Sequence, residues 1–218
     1  IKKTNKKIKE ETKNISYFFI FDVYLYKILK PFQRKILRRP NKHMQNINIG
    51  DTSKFVGWKA NGVTNCLELC KMILRKYGLT NFGNSSNIYK LMYENNGKLE
   101  YYKPNDMSIQ DNYRIATNCI DKHLEAGRPI IVGVNHTFNR GINEGTTDHF
   151  VVIYGREELS KHCIHYLYYE VGKGDPVNGT SNENRFVYID SDNPEFFDVQ
   201  SQLRGGARFD VIQIRPNM

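Results

Sequence analysis

Cysteine is scarce in this chain, and so are long apolar runs. The four cysteines of the 218 residues are Cys66, Cys70, Cys119 and Cys163. They are too few and too irregularly spaced to form the disulfide framework of a small secreted protein. The most apolar stretch, residues 15–29, is interrupted by Asp22 and Lys27 and is shorter than the roughly 18 residues that a membrane span requires. We therefore expect no transmembrane segment.

Motifs for nucleotides, nucleic acids and metals are missing as well. The glycines of residues 172–176 do not open a helix, so a phosphate-binding loop is unsupported. No helix-turn-helix, zinc-finger spacing or interleaving of basic and aromatic residues is present. The nearest group of soft ligands, His162, Cys163 and His165, matches no structural zinc pattern. We expect no metal, no organic cofactor and no nucleic-acid partner.

Positive charge is abundant, and much of it lies near the N-terminus. The formal net charge is +9. The basic residues of this region are Lys2, Lys3, Lys6, Lys7, Lys9, Lys13, Lys27, Lys30, Arg34, Lys35, Arg38, Arg39 and Lys42. Their placement predicts a basic, partly helical extension over residues 1–43, followed by one catalytic domain over residues 44–218. Such an arm can hold phosphates, anionic lipid or an anionic wall polymer.

Helical patterns come first in the domain, and strand patterns follow. Apolar residues recur at helical spacing from Val63 to Tyr77, and Gly78 ends this helix. Further helical stretches are predicted over residues 86–95 and 110–126, the latter with Ile115, Cys119, Ile120 and Leu124 facing inward. The β-branched or aromatic runs are residues 129–134, 148–155, 165–171, 185–189 and 209–214. This order predicts an α+β fold with an antiparallel sheet.

Cys66 is placed where a thiol becomes a nucleophile. It opens the predicted helix, and the N–H groups and dipole of a helix N-terminus lower the pKa of a thiol. Cys70, one turn further on the same face, is expected to be a small core residue. Taken alone, Cys66 fits an apolar core role better than a catalytic one, because the core role is the commoner one for a helical cysteine.

His149 is a polar residue at the head of a buried strand, so its two ring nitrogens need partners. If residues 148–154 and 165–171 form a hairpin about a loop at residues 156–163, an in-register ladder places Tyr154 opposite His165. The same ladder places His149 opposite Glu170, which could orient the imidazole as the third member of a triad.

Other carboxylates compete for this third position. Asp190, at the end of the run 185–189, is the main alternative to Glu170. Asp148 is a weaker one, because neighbours in a strand point to opposite faces.

The surroundings of these residues suggest further roles. The backbone N–H of Cys66 is a natural donor to an oxyanion, and Asn61 could contribute its side chain. Alternatively, Asn61 and Gly62 form a turn, and Asn65 is expected to cap the helix. Trp58 either lines the cleft or anchors its loop to the core. The polar loop at residues 135–147 leads directly to His149, as a substrate-binding loop or as a simple hairpin connection.

The chain resembles the papain-like cysteine hydrolases in their bacterial form, including NlpC-type cell-wall hydrolases and bacteriocin-processing cysteine peptidases. The resemblance covers roughly residues 55–172 and rests on Asn65-Cys66 at a helix start and on two strand motifs. These motifs are Gly127-Arg128-Pro129-Ile130-Ile131-Val132-Gly133-Val134 and Asp148-His149-Phe150-Val151-Val152-Ile153-Tyr154-Gly155.

The resemblance implies a papain-like fold, with N-terminal helices packed on an antiparallel sheet. It also implies Cys66 as nucleophile, His149 as base and Glu170 as third residue. The bacteriocin-processing relatives tend to carry Asp followed by Pro at the third position, whereas this chain has Glu170 followed by Val171. Asp190 and the nearby Asp192-Asn193-Pro194 therefore stay in contention.

A helical or basic extension ahead of such a domain also looks like the polymorphic bacterial toxins and secreted amidase effectors. The resemblance implies a secreted or periplasm-acting hydrolase that cleaves an amide bond in peptidoglycan peptides, with an inhibitor or immunity protein as a further partner. The alternatives are a peptidase acting on proteins, and an inactive basic binding module whose Cys66 is buried and unreactive.

Overall fold

The structure is a computed structural model, and it describes residues 45–80, 87–104, 107–136, 147–198 and 208–217. These residues belong to one compact unit, Met44–Met218. The predicted extension over residues 1–43 and most of the polar loop before His149, residues 137–146, lie outside the described residues. The expectations on these two segments stay predictions.

Three helices and ten strands make up the described part of the chain. The helices are α1 (Cys66–Lys76), α2 (Ile109–Glu125) and the single-turn α3 (Pro176–Gly179). The strands are β1 (Ile47–Asn48), β2 (Tyr89–Lys90), β3 (Met92–Asn95), β4 (Lys98–Tyr101), β5 (Ile130–His136), β6 (His149–Ser160), β7 (Cys163–Tyr169), β8 (Arg185–Ile189), β9 (Glu195–Asp198) and β10 (Phe209–Arg215). Two short 3-10 helices, Thr52–Lys54 and Ala60–Gly62, precede α1.

Six of these strands close into an antiparallel barrel. The order around the barrel is β6, β5, β10, β9, β8, β7, and β7 pairs back with β6. Strand β1 extends the sheet beside β6, β2 pairs with β10, and β3 and β4 form a separate hairpin. The predicted papain-like arrangement of helices packed on a sheet is therefore wrong, because the described chain is mostly a closed barrel with extra strands and short helices.

Closure depends on pairings that the sequence pattern did not indicate. Strand β6 runs on to Ser160, and only Lys161 and His162 separate it from β7, so the predicted loop at residues 156–163 is mostly strand. Ladder irregularities between Ile153 and Gly155 and between Glu158 and Ser160 mark bulges in β6. Bulges bend a strand and increase its twist, which favours closure of a sheet.

The helix predicted over residues 86–95 is also wrong. Its described part contains β2 and β3, and β3 continues into the hairpin with β4. Asn96 and Gly97, between these two strands, both have left-handed backbone angles, with φ of 51° and 73°. Asn-Gly at such angles is the preferred turn of a two-residue hairpin, and this local signal outweighs the helical spacing of the preceding apolar residues.

The predictions of α1 and α2 are confirmed. The Asn65 side chain caps α1 by accepting from the Glu68 N–H at 3.2 Å, and Gly78 follows the helix with φ of +77°. In α2, however, Ile115 is 41% exposed rather than inward. The buried apolar residues of α2 are Tyr113, Ala116, Ile120 and Leu124.

Two apolar clusters hold the helices against the barrel. One joins α2 to inward residues from all six barrel strands, among them Val132, Val151 and Tyr166. The other joins α1 to Ile131, Val152 and further residues of β6, β7 and their surroundings. Strand β6 is therefore buried on both faces, and α1 is fixed beside it. Within the described residues, no helix combines the length and the apolar character needed to cross a membrane.

Candidate active site

Helix α1 presents the thiol of Cys66 at its first turn, beside the beginning of β6. Cys66 is the first residue of the helix and is partly exposed. Its side chain hydrogen-bonds to that of His149, and its sulfur accepts from the backbone N–H groups of Phe150 and Leu67. The nucleophile candidate is thus held by both elements that meet at this point.

His149 lies between the thiol and a carboxylate. It is the first residue of β6 and is buried. Its Nε2 atom is 2.7 Å from Oε1 of Glu170, which leaves Nδ1 as the ring nitrogen for Cys66. Sulfur, imidazole and carboxylate therefore form one continuous hydrogen-bonded series.

Glu170 is fixed by its backbone as well as by its side chain. It follows the last residue of β7 and is fully buried. Its N–H donates to the Gly179 carbonyl at 2.8 Å, and its Oε1 accepts a second hydrogen bond from the Gly172 N–H at 2.8 Å. The carboxylate is therefore oriented toward His149 without needing to move.

The predicted register between β6 and β7 is wrong, yet it brings the same two residues together. Val152 pairs with Tyr169, and Glu157, not Tyr154, pairs with His165. Continuing the ladder from Val152 places Glu170 two residues from the position opposite His149. A shift of two residues keeps side chains on the same face, and diagonal neighbours remain within reach of long side chains.

The electrostatics of the site favour a thiolate and an imidazolium. Burial opposes ionisation of Cys66, but its hydrogen bond to His149, the charge of His149 and the backbone N–H groups outweigh burial and lower the pKa of the thiol. Burial likewise opposes charge on His149, but the charge of Glu170 and the hydrogen bonds to Cys66 and Glu170 raise the pKa of His149 to about 10. Each group stabilises the charged form of its neighbour.

The alternative carboxylates are placed elsewhere. Asp190 accepts hydrogen bonds from Arg114 Nε at 3.0 Å and from Gln110 Nε2 at 3.2 Å, so it is engaged by α2 and not by His149. Asp148 precedes His149, and its backbone N–H donates to the Val134 carbonyl at 3.0 Å. Of the three carboxylates considered, Glu170 is the one that hydrogen-bonds to the imidazole.

Asn61 lies in the turn Ala60–Gly62, which precedes α1. It is exposed and has a left-handed backbone, with φ of 51°. Among the described residues, no hydrogen bond joins its side chain to Cys66 or His149. Its role as an oxyanion donor stays a prediction.

The loop before Cys66 packs closely against the segment that follows Glu170. The Trp58 N–H donates to the Lys173 carbonyl at 2.8 Å, while the Trp58 ring is partly exposed. A Cβ added to Gly57 would collide with that same carbonyl, and one added to Gly179 would collide with the Phe55 ring. Glycine is therefore required at both positions for this approach.

A basic residue that the sequence pattern did not single out lies against Phe150, the residue after His149. Arg215, the last residue of β10, lies with its guanidinium carbon 4.8 Å from the centroid of the Phe150 ring. Its Nε donates to Oε1 of Gln213 at 3.2 Å. The signal was available, since Gln213 and Arg215 are polar residues that alternate with the apolar Ile212 and Ile214 in the same strand.

Among the residues that the structure describes, no group of three or more His, Cys, Asp or Glu side chains could hold a metal ion. Comparison with known proteins found no family model, curated protein or solved structure that matches this chain. The function of this chain must therefore be inferred from the residues of the site.

Proposed function

We propose that this protein is a cysteine hydrolase that cleaves an amide bond, with Cys66 as nucleophile, His149 as general base and acid, and Glu170 as the residue that orients His149. The observation that carries the proposal is the hydrogen-bonded series from the Cys66 thiol through His149 to Glu170, with 2.7 Å between His149 Nε2 and Glu170 Oε1. A thiol, a base and an orienting carboxylate in this order are the parts that nucleophilic catalysis needs.

In the first step, the Cys66 thiolate attacks the carbonyl carbon of the amide, and the carbonyl oxygen takes up the negative charge. The first N–H groups of a helix have no acceptor within the helix. Here the Glu68 N–H is capped by Asn65, and the Leu67 N–H is directed at the Cys66 sulfur. The Cys66 N–H is left to stabilise the oxyanion.

In the second step, the C–N bond breaks as the His149 imidazolium gives its proton to the departing amine, leaving a thioester on Cys66. His149, now neutral, takes a proton from a water molecule that attacks the thioester. Collapse of the resulting intermediate breaks the C–S bond, releases the carboxylic acid product and restores the Cys66 thiolate beside the His149 imidazolium. The negative charge of Glu170 supports the cationic form of His149 in each cycle.

We take peptidoglycan peptides as the preferred substrate, and proteins as the second. Residues 44–218 contain 19 Lys and Arg against 20 Asp and Glu, so the positive excess of the chain lies within residues 1–43. Attraction to an anionic cell wall is accordingly assigned to the extension, and bond cleavage to the domain. A secreted or periplasm-acting protein, restrained by an inhibitor or immunity protein, fits this division.

Alkylation of the native protein with iodoacetamide, followed by peptide mapping, tests for the nucleophile. Cys119 is an internal control, because it is also partly exposed but burial raises its pKa. We expect Cys66 to react about 100-fold faster than Cys119 at pH 7, since the thiolate is the reactive form. Equal, slow reaction of both thiols would indicate an inactive binding module instead of a hydrolase.

Digestion of purified sacculi tests for the substrate. The wild-type protein should release peptides and new amino groups, whereas Cys66→Ala should release neither. Cys119→Ala, which removes a thiol remote from His149, is the matched control and should behave as wild type. If the enzyme cleaves denatured protein but leaves the sacculi intact, it is a protein peptidase.

A further inference from the structure

Arg215 is a half-buried cation without a carboxylate partner among the described residues. Three other arginines of the described residues face acids: Arg208 meets Asp210 at 2.8 Å, Arg114 meets Asp190 at 3.0 Å and Arg156 meets Asp121 at 3.4 Å. Arg215 makes one hydrogen bond, to the neutral amide of Gln213. Burial lowers the pKa of Arg215, because removal from water opposes the charged guanidinium.

The guanidinium of Arg215 is linked to the candidate site through Phe150, the residue that follows His149 in β6. It lies over the ring of Phe150, and the backbone N–H of Phe150 donates to the Cys66 sulfur. Burial raises the pKa of Cys70, one helical turn after Cys66, and the charge of Arg215 opposes this shift. Both Arg215 and Phe150 are partly exposed, so a ligand in solvent can reach this pair.

The position of Arg215 is fixed by a polar arrangement on β10 and β5. Gln213 accepts from Arg215 and donates from Nε2 to Oγ1 of Thr147 at 2.9 Å. The Gln213 side chain runs across Gly133, where an added Cβ would lie 2.7 Å from Gln213 Cγ. The absence of a side chain at Gly133 thus lets Gln213 hold the guanidinium in place.

We propose that Arg215 binds a carboxylate of the substrate next to the scissile amide, so that the enzyme selects acyl groups that carry a negative charge close to the reacting carbonyl. This inference rests on the proposed function. A guanidinium presents two parallel N–H donors that match the two oxygens of a carboxylate. The ring of Phe150 supports the flat guanidinium while its outer N–H groups stay available.

Iodoacetate and iodoacetamide form a matched pair of probes for this proposal. Both alkylate the Cys66 thiolate by displacement of iodide, and they differ in a carboxylate against an amide. We expect Arg215→Gln to slow alkylation of Cys66 by iodoacetate about fivefold relative to wild type, because the positive charge that attracts this anionic reagent is gone. The rate with iodoacetamide, which is neutral, should not change. Arg215→Met, which keeps an unbranched side chain over Phe150, should give the same result if the Gln variant does not fold.

Arg185→Gln is the matched control, because it removes a partly exposed arginine from β8 that has no contact with the triad. It should leave both rates as in wild type. The inference is overturned if the ratio of the two rates is the same in wild type and in a folded Arg215 variant while Cys66 reacts rapidly with iodoacetamide. Slow reaction of wild-type Cys66 with iodoacetamide would instead overturn the hydrolase proposal itself, and this inference with it.

Peptide substrates extend the same comparison to hydrolysis. A pair that differs only in a side-chain carboxylate or carboxamide beside the scissile bond should show a higher kcat/KM for the acid in wild type, and near-equal values in Arg215→Gln. Arg215→Lys, which keeps the charge but loses the two-pronged donor, should retain part of the preference. A preference for the acid that persists in Arg215→Gln and Arg215→Met would contradict the role of Arg215.

Discussion

Strand β6 carries two buried pairs of a basic and an acidic side chain, and only one of them belongs to the candidate active site. At its first residue, His149 meets Glu170 at 2.7 Å. Seven residues further along, Arg156 meets Asp121 of α2 at 3.4 Å between Nη1 and Oδ2. All four side chains are buried, so burial and opposite charge alone do not distinguish the two pairs.

The two pairs differ in the further side chain that each of them contacts. The His149 pair continues to Cys66, which is partly exposed and has a lowered pKa. The Asp121 carboxylate is instead closed by the hydroxyl of Tyr166 at 2.9 Å. Burial raises the pKa of Asp121 to about 6, against the charge of Arg156 and the hydrogen bond from Tyr166. A reactive group with access to solvent turns a buried pair into a site, whereas the sealed pair is structural.

Replacement of His149 should give the largest effect on activity, because it removes the one basic residue of the two pairs that contacts a reactive thiol. In His149→Ala, the pKa of Cys66 should rise, because the hydrogen bond and charge that lower it are gone. We expect kcat/KM to fall by about 10⁶, as for loss of the histidine of a catalytic triad. Measured from pH 5 to 9, alkylation of Cys66 should require a higher pH than in wild type. An unchanged profile would show that His149 does not activate the thiol.

Replacement of Arg156 tests the sealed pair through stability. Arg156→Met should lower the free energy of unfolding by about 3 kcal/mol, because it leaves Asp121 buried without its cation. The pKa of Asp121 is already above its unfolded value, and loss of Arg156 raises it further, so stability should decline as the pH rises through the folded pKa. Urea unfolding at pH 5 and pH 8 measures this difference.

The specific activity of the folded Arg156→Met protein should match that of wild type. A loss of alkylation at Cys66 without loss of stability would contradict the assignment of this pair to structure.

Replacement of Glu170 should give a moderate effect on activity. Glu170→Gln keeps the shape of the side chain but removes the charge that raises the pKa of His149. We expect kcat/KM to fall about 30-fold, since the imidazolium loses its support. The imidazolium must hold its proton to act as an acid, so the alkaline limb of the pH profile of kcat/KM should move below its wild-type position near pH 10. An alkaline limb that stays in place would remove Glu170 from the triad.

Replacement of Asp190 should give the smallest effect and sharpens the choice between the two carboxylates. Asp190→Asn weakens the contact with Arg114, so we expect a loss of about 1 kcal/mol of stability. Cys66 alkylation and kcat/KM should stay within about twofold of wild type, because Asp190 makes no contact with His149. A larger loss of activity than in Glu170→Gln would reverse the assignment.

Local signals in the sequence predicted the parts of the site, and long-range pairing decided how they meet. Asn65 and Gly78 bound α1 as expected, because a cap and a left-handed stop act within a few residues. Closure of β7 onto β6 could not be predicted in the same way, since it depends on bulges and on the pairing of distant strands. The predicted contact between His149 and Glu170 survived the wrong register because the error was an even number of residues.

Arg215 illustrates a different limit. A basic residue near the end of a strand is ordinary in a sequence, and its significance depends on what the fold places around it. Only the structure shows that it lies over Phe150 without an acidic partner among the described residues. The strand pattern did contain a usable hint, because Gln213 interrupts the buried apolar residues Val211, Ile212 and Ile214.

The close approach of Gly57 to the Lys173 carbonyl holds together two segments that are distant in the sequence. One segment leads into Cys66, and the other follows Glu170. Neither Gly57 nor Gly179 takes part in the proposed chemistry. Alanine at Gly57 or Gly179 would force these two segments apart, because the added methyl group would collide with the Lys173 carbonyl or with the Phe55 ring. Such replacements are natural choices for temperature-sensitive alleles. The protein should accumulate normally in cells grown at low temperature, and on warming it should lose the placement of Cys66 relative to Glu170.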